Sequence, residues 1–555
     1  MTTLFESRFR DKLDACFAPT NEEVIEIDSI LALPRARIAE LTGEITRLED
    51  ALTRLRNERT RLETDVALHE SLLAPIRKLP EDVLQEIFLA CLPGGHNATL
   101  HPDHPPLLFG RVNRYWRRLS RSTPLLWRSA HVPGMLDFDD EDPEPVVCDA
   151  SSRRVEKGLF GTFNRWMSLS VDAPLWLSYC ERPPYDPPNP ASVGSSDTFF
   201  GAAVAEHSQR IERLGVWGSA AMVRSILTLP PAVVPQLRSL VCIQCYNSSP
   251  TFDLCDAAVL QSEALESICL LGSCDPSTFT CHWTNLAELG LIFVPDWTTP
   301  APTKGIDQNE MRNILRRCPN LVRCEIGITE VAPLCQRESI VLPNLEELFI
   351  YTGHGLAADS PELIIDICAL FDALDAPNLW LFGLGQSHLV QLRRTDTARR
   401  TSADEMITYI TPNLVKEPMI LSTLRALPRT TSLFLCPADG SQPSVASTMH
   451  NLYQLMADNF FTTLVAENLC PDMRNLAIQM DITGPVLESS GLLDFIRARR
   501  TSLRALNLLF LYGYTEEIET QLRDATGGQI ILELKQNDPD PTTVPRWKYD
   551  PSRGL

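Results

Sequence analysis

Two groups of residues have the types and spacing that could do chemistry. Cys242-Ile-Gln-Cys245 is a C-x-x-C, the spacing that clips zinc or runs thiol–disulfide exchange. His96, His101 and His104 gather three imidazoles, the side chains that most often bind transition metals. Neither group develops further. Cys242 falls on an expected strand and no second cysteine pair stands at zinc-finger distance, so both thiols read as structural. The histidines sit in a Pro- and Gly-bearing loop with no helix to fix them and no carboxylate pair nearby. No G-x-x-x-x-G-K-[ST], H-E-x-x-H or G-x-S-x-G occurs. The expectation is therefore a non-enzyme with no catalytic residues, no metal and no cofactor.

What remains is the chemistry of association. In Leu79-Pro80-Glu81-Asp82-Val83-Leu84-Gln85-Glu86-Ile87-Phe88, Pro80 suits the first turn of a helix, where its missing N–H costs nothing. Glu81 and Asp82 complement the positive end of the helix dipole. Val83, Leu84, Ile87, Phe88 and Cys91 fall on one broad apolar face. A second helix is predicted over 106–121, with Leu108, Val112, Tyr115 or Trp116, and Leu119 on one face and Arg111, Arg114, Arg117 and Arg118 around it. Thr123-Pro124-Leu125-Leu126-Trp127 leads into a third short element. A helical unit this small carries more apolar face than it can bury, and such a unit needs a partner to cover it.

The segment resembles the F-box, in the form common in fungal proteins. The resemblance rests on LPEDVLQEIF, then VNRYWRRLS, then TPLLW, in that order; the stretch 92–105 is longer than a compact F-box turn. It implies docking to the Skp-family adaptor of an SCF (Skp–cullin–F-box) ubiquitin ligase. By carry-over, Leu79, Pro80, Val83, Leu84, Ile87 and Phe88 lie at or beneath that interface, with Val112, Trp116, Leu119 and Trp127 in support. For each of these residues internal helix packing is the competing role.

The elements around this segment are legible as patterns. Ile38, Leu41, Ile45, Leu48, Leu52, Leu55, Leu62 and Val66 recur three and four apart, a helical stripe interrupted at Arg59 and His69. Pro34 and Pro75 punctuate its ends, and Asp50 with Arg54 and Arg59 with Glu63 give i,i+4 charge support. A parallel homodimer would set Glu44 against Glu49 and Glu58 against Glu63, both repulsive. Another protein, an antiparallel mate and the body of this chain stay open as partners.

Beyond about residue 160, a pattern L-x-x-L-x-L recurs, often preceded by Pro and a polar residue. Copies stand at Trp166-Leu169-Val171, Ile211-Leu214-Val216, Leu237-Leu240-Cys242, Leu265-Ile268-Leu270 and Leu286-Leu289-Leu291. Others are Leu321-Cys324-Ile326, Leu345-Leu348-Ile350, Leu379-Phe382-Leu384, Met473-Leu476-Ile478 and Leu503-Leu506-Leu508, with a partial copy at Leu433-Leu435. The last two anchors, two apart, face one side of a short strand, and the first turns the chain into it. Segments of helical period lie between, best at Met222–Leu229, Met311–Cys318, Leu363–Leu374, Leu452–Leu464 and Leu493–Ile496.

The expected class is α/β. A long N-terminal helix precedes a small all-α F-box unit, then a leucine-rich-repeat solenoid with a curved parallel sheet and outer helices. The expected divisions are an N-terminal segment 1–34, a coiled-coil-like helix 35–74 and the F-box 75–130. An acidic linker 131–160, the repeat domain 161–535 and a tail 536–555 follow, with a basic loop at 393–400 and an acidic one at 137–145.

The chain has 555 residues, enough for two or three structural units, and a net charge of −21 that speaks against nucleic acid and anionic membranes. No run of about eighteen apolar residues suggests a membrane helix. Sixteen scattered cysteines without a recognisable secretory signal read as reduced thiols of the cytosol or nucleus. The expected function is an adaptor that presents a protein substrate to the ligase. The alternative is a leucine-rich-repeat scaffold that binds the Skp-type subunit without ubiquitin transfer.

Overall fold

The computed structural model describes residues 9, 12, 17–94, 96–133, 150–180, 195–218, 220–244, 256–272, 281–293, 306–328, 338–352, 367–385, 404–410, 417–435, 460–480, 491–510 and 514–536. The acidic stretch 137–145, the basic stretch 393–400, Cys245, the helical positions 363–366 and 452–456, nearly all of 1–16 and all of the tail after 536 lie outside them. The fold is mixed α/β, with two compact units, 1–84 and 85–555.

The first unit is dominated by α1, Asn21–Leu73, a single helix of 53 residues, or about 80 Å at 1.5 Å per residue. It begins well before the start expected at Pro34. The reason is a capping box: the Thr20 backbone N–H donates to Glu23 Oε2 at 2.9 Å, and the Glu23 N–H donates to Thr20 Oγ1 at 3.4 Å. Pro34 lies inside the helix; it deletes one backbone donor, but the helix has already been nucleated upstream. Of the two expected i,i+4 ion pairs, Arg59–Glu63 is formed at 3.4 Å. All eight residues of the apolar stripe are exposed, between 46% and 64%.

The second unit is built on a sheet of fourteen strands among the described residues, every pairing parallel and the strands hydrogen-bonded in chain order. It runs from Ser129–Pro133 to Ile531–Gln536. The register aligns the middle anchors of the sequence pattern into one row: Leu214, Leu240, Ile268, Leu289, Cys324, Leu348, Phe382, then Leu433, Leu476 and Leu506 beyond Thr408. These are at most 1% exposed. Helices such as Ala220–Leu227, Gln308–Arg317 and Leu492–Ala498 alternate with the strands. A two-stranded parallel pair, Ile340–Val341 with Leu374–Asp375, stands apart.

The polar residue ahead of the first anchor has a visible job. Asn285 Nδ2 donates to the Glu263 carbonyl at 3.0 Å, Asn320 to that of Thr284 at 2.8 Å, and Asn378 to that of Pro343 at 2.7 Å. Each amide thus ties one copy to the copy before it.

Nine of the ten expected copies and the partial one coincide with strands. Trp166-Leu169-Val171 does not: Trp166 and Leu169 end a helix, Ala150–Leu169, and Val171 sits in a turn at φ 49. The strand in that region is Leu175–Cys180, with Leu175, Leu177 and Tyr179 buried. The linker expected over 131–160 is likewise shortened, since a strand enters it at one end and this helix at the other.

The opposite side of the sheet carries a second apolar cluster that includes Ile243, Leu271, Ile292, Phe349, Tyr351 and Trp380. Phe349 lies across Gly383, where a Cβ would overlap its ring. Next to it, Arg323 bridges Glu325 at 3.0 Å and Glu347 at 3.1 Å.

Candidate docking face

In the first unit, Pro75–Lys78 forms one 3-10 turn and Leu79 leaves it extended at φ −71, ψ 138. Pro80 then opens helix α2, Glu81–Ala90, its carbonyl accepting the Leu84 N–H at 3.1 Å. Proline fits there because a residue in that position has no intrahelical partner for an N–H. Leu84 is fully buried, whereas Val83 is 41% and Ile76 is 37% exposed, with Pro80 exposed and Leu79 half-buried.

In the second unit, Phe88 is fully buried and stacks on Phe109, ring centroids 4.2 Å apart and planes 11° from parallel. Trp116 tilts against Phe88 at 4.8 Å. Phe109 was not on the face expected from the sequence, and the reason is a break in the helix predicted over 106–121. Helix α3, Phe109–Val112, ends at Asn113, which is extended at φ −159, ψ 175. Its Oδ1 accepts the Trp116 N–H at 2.8 Å and starts helix α4, Arg114–Arg121, afresh. The two pieces do not share one helical phase, so Phe109, Trp116 and Leu119 turn inward or partly so. Leu108, Val112 and Tyr115, expected with Leu119 on one apolar face (Tyr115 as the alternative to Trp116), are 37%, 51% and 36% exposed, so that face is divided between interior and surface.

The third element is the 3-10 turn Pro124–Trp127. Trp127 is buried, donates Nε1 to the Ser120 carbonyl at 2.7 Å and meets Trp166 edge-on at 5.2 Å. Leu126 is fully buried and Leu125 is 44% exposed. Thus Leu84, Phe88, Leu119 and Trp127 are core residues, Trp116 and Ile87 are half-buried, and Val83 and Val112 are open.

The long stretch 92–105 has its own role. Ala98 and Thr99 lie along the first strand of the sheet: the Ala98 carbonyl accepts the His131 N–H at 2.7 Å, and Thr99 forms a parallel bridge with His131. Asn97 Nδ2 donates to Ser178 Oγ at 2.9 Å, Ser129 Oγ donates to Asn97 Oδ1 at 2.9 Å, and His131 Nδ1 is 2.9 Å from the same Ser178 Oγ. A buried polar network therefore covers what would be an open strand edge. These hydrogen bonds join residues far apart in the chain, and no local pattern announces them.

The three histidines are spread over local hydrogen bonds: His96 Nδ1 with the Asn97 carbonyl, His104 Nδ1 with Thr99 Oγ1, and His101 Nδ1 with the Asp103 N–H. Among the described residues no His, Cys, Asp or Glu cluster could hold a metal ion. Cys242 is buried on its strand. Burial pushes the thiols of Cys281 and Cys318 up to about 12, so neither is a thiolate near neutrality. No described helix is long and apolar enough to cross a membrane.

What the segment offers chemically is a packed aromatic core with aliphatic side chains left at its surface. No family model matches the chain, and no curated protein matches it.

Proposed function

We propose that the chain is a substrate-recognition adaptor of an SCF-type ubiquitin ligase, with residues 75–130 as an F-box that docks a Skp-family subunit. The observation that carries the reading is the division of labour among the apolar residues of that segment. Phe88, Phe109, Leu119 and Trp127 fill its interior, yet Val83, Leu108, Val112 and Leu125 remain between 37% and 51% exposed. Isolated exposed aliphatics are ordinary; this reading takes these four, within one short stretch of sequence, as positions that another protein covers. In this reading Leu79, Pro80, Val83, Ile87 and Val112 meet the partner, and Trp116 is half-buried. Leu84, Phe88, Leu119 and Trp127 are buried and carry the packing within their own units.

The chain-ordered parallel sheet is read as a leucine-rich-repeat array that holds a protein substrate. The aromatic residues Trp217, Tyr409 and Phe434, partly buried on its second side, are the proposed contact points. The adaptor is non-catalytic and acts in the cytosol or nucleus.

The test is co-expression of the full chain with a Skp-family subunit. A stable complex is expected, weakened when Leu79→Ala and Pro80→Ala are combined while the sheet keeps its thermal transition. Failure to co-purify removes the proposal. Ubiquitylation of a captured protein by the reconstituted ligase separates an adaptor from a scaffold that binds the subunit without ubiquitin transfer.

A further inference from the structure

The apolar stripe of α1 has no cover within the described structure, and its flanking charges say what fits it. The seam can be followed along the whole helix: Val24, Ile27, Leu31, Pro34, Ile38, Leu41, and so on to Leu73, at alternating steps of three and four. Two seam positions are polar, Arg59 and His69.

In a parallel, in-register pair, Arg59 would face the Arg59 of the other helix, and His69 would face His69. The flanks would oppose Glu23 to Asp28, Glu44 to Glu49, Glu58 to Glu63 and Asp65 to Glu70. Every charged pair is then repulsive.

Reversing one helix changes each of these terms. Pairing about a midpoint between Thr53 and Arg54 sets Leu52 against Leu55, Ile45 against Leu62 and Leu41 against Val66. Arg59 then faces Leu48, and the two Arg59 side chains stand roughly 16 Å apart at 1.5 Å per residue, beyond the roughly 8 Å over which salt lets surface charges interact. Glu49 meets Arg56, and Arg35, which holds Asp28 at 3.1 Å in its own helix, meets Glu70. By symmetry each attraction occurs twice. The one repulsive flank, Glu44 against Asp65, is blunted because Glu44 is held by Arg47 at 2.6 Å, which also lowers the Glu44 carboxyl below its ordinary pKa. Shifting the pairing by one heptad either way brings Glu49 against Glu49, or Arg56 against Arg56.

We propose that α1 is a homodimerisation element, in which residues 34–73 of two copies of this chain form an antiparallel coiled coil. The proposal stands independently of any ligase role.

The test uses the purified full chain. Sedimentation should give a mass near twice 62.1 kDa at micromolar concentration. Glu49→Arg, at an exposed position, should raise the dimer dissociation constant roughly tenfold by turning two attractive pairs repulsive. Adding Arg56→Glu should restore it, with far-UV circular dichroism unchanged throughout. A parallel pair predicts the reverse, because Glu49→Arg would then face Glu44 and tighten the dimer. A monomer, or a dimer indifferent to both substitutions, overturns the proposal as completely as a tightened one.

Discussion

Substituting Phe88 and Val112 separately should split folding from docking. Phe88 is fully buried, stacked on Phe109 at 4.2 Å and against Trp116 at 4.8 Å. A buried aromatic withdraws roughly 150–250 Å² from water, worth about 4–6 kcal/mol at about 25 cal/mol per Å². Alanine keeps a fraction of that area, while the cavity left behind adds a cost, so Phe88→Ala should destabilise its surroundings by about 3–5 kcal/mol. Such a loss is comparable to the whole stability of many small domains. Val112 is 51% exposed, so Val112→Asp should shift stability by only about 0.5 kcal/mol. At a covered interface, however, it would bury an unpaired carboxylate, at a cost of about 3 kcal/mol or more, beyond a hundredfold in affinity. Hydrogen exchange read by mass spectrometry over 81–127, beside a binding isotherm with a Skp-family subunit, measures both effects. Phe88→Ala should accelerate exchange across α2, α3 and α4; Val112→Asp should leave exchange alone and abolish binding. Unchanged exchange in the first variant refutes the packing account. Unchanged binding in the second refutes the docking face.

Two further outcomes follow from the second side of the sheet. Arg323→Met removes the ion pairs that Arg323 makes with Glu325 and Glu347, with an expected loss of about 3 kcal/mol in denaturation experiments. Burial already raises the Glu347 carboxyl despite Arg323 beside it. Its folded form therefore favours the proton, and the stabilisation linked to that proton is complete below the unfolded pKa and fades as pH rises through the folded one. The variant's deficit should narrow at pH 4.5 relative to pH 7.5; a constant gap would count against this coupling. Gly383→Ala should cost about 1–3 kcal/mol by driving a Cβ into the Phe349 ring, and Phe349→Leu in the same chain should recover part of it. A melting temperature equal to wild type for Gly383→Ala would show that the ring has somewhere else to go.

The strands were readable because their buried anchors are two apart and almost all are Leu, Ile or Cys. Where the anchor is something else, the pattern fails. The strand Ile407–Ile410 places Thr408 in the anchor row, made acceptable by Thr430 Oγ1 at 2.9 Å, and no count of apolar residues would find it. Leu175–Cys180 is masked in the sequence by Trp166 and Leu169, which imitate a copy just ahead of it while being helical. Two other signals were present and outweighed. Thr20-Asn-Glu-Glu23 spells the capping box that starts α1, well ahead of the apparent boundary at Pro34. Asn113 is a natural N-cap, yet the run Leu108, Val112, Leu119 made a continuous helix look sufficient. Within residues 106–121 the helical pattern was legible and the orientations were not, because a one-residue break at Asn113 rotates everything after it. The pairing of Ala98 and Thr99 with the first strand depends on partners some thirty and eighty positions away.

Because, among the described residues, the strands of the large sheet pair with one another in chain order, order can spread along it one neighbour at a time, without waiting for distant ends to meet. Such an array tolerates lengthening or shortening at its far end, where Ile531 is already 66% exposed to water. It is much less forgiving in the middle. A lesion at Leu348 or Phe382 would leave two shorter stacks, each with a new raw margin. Harmful substitutions should therefore concentrate at the centre of the array and thin out towards its last strand.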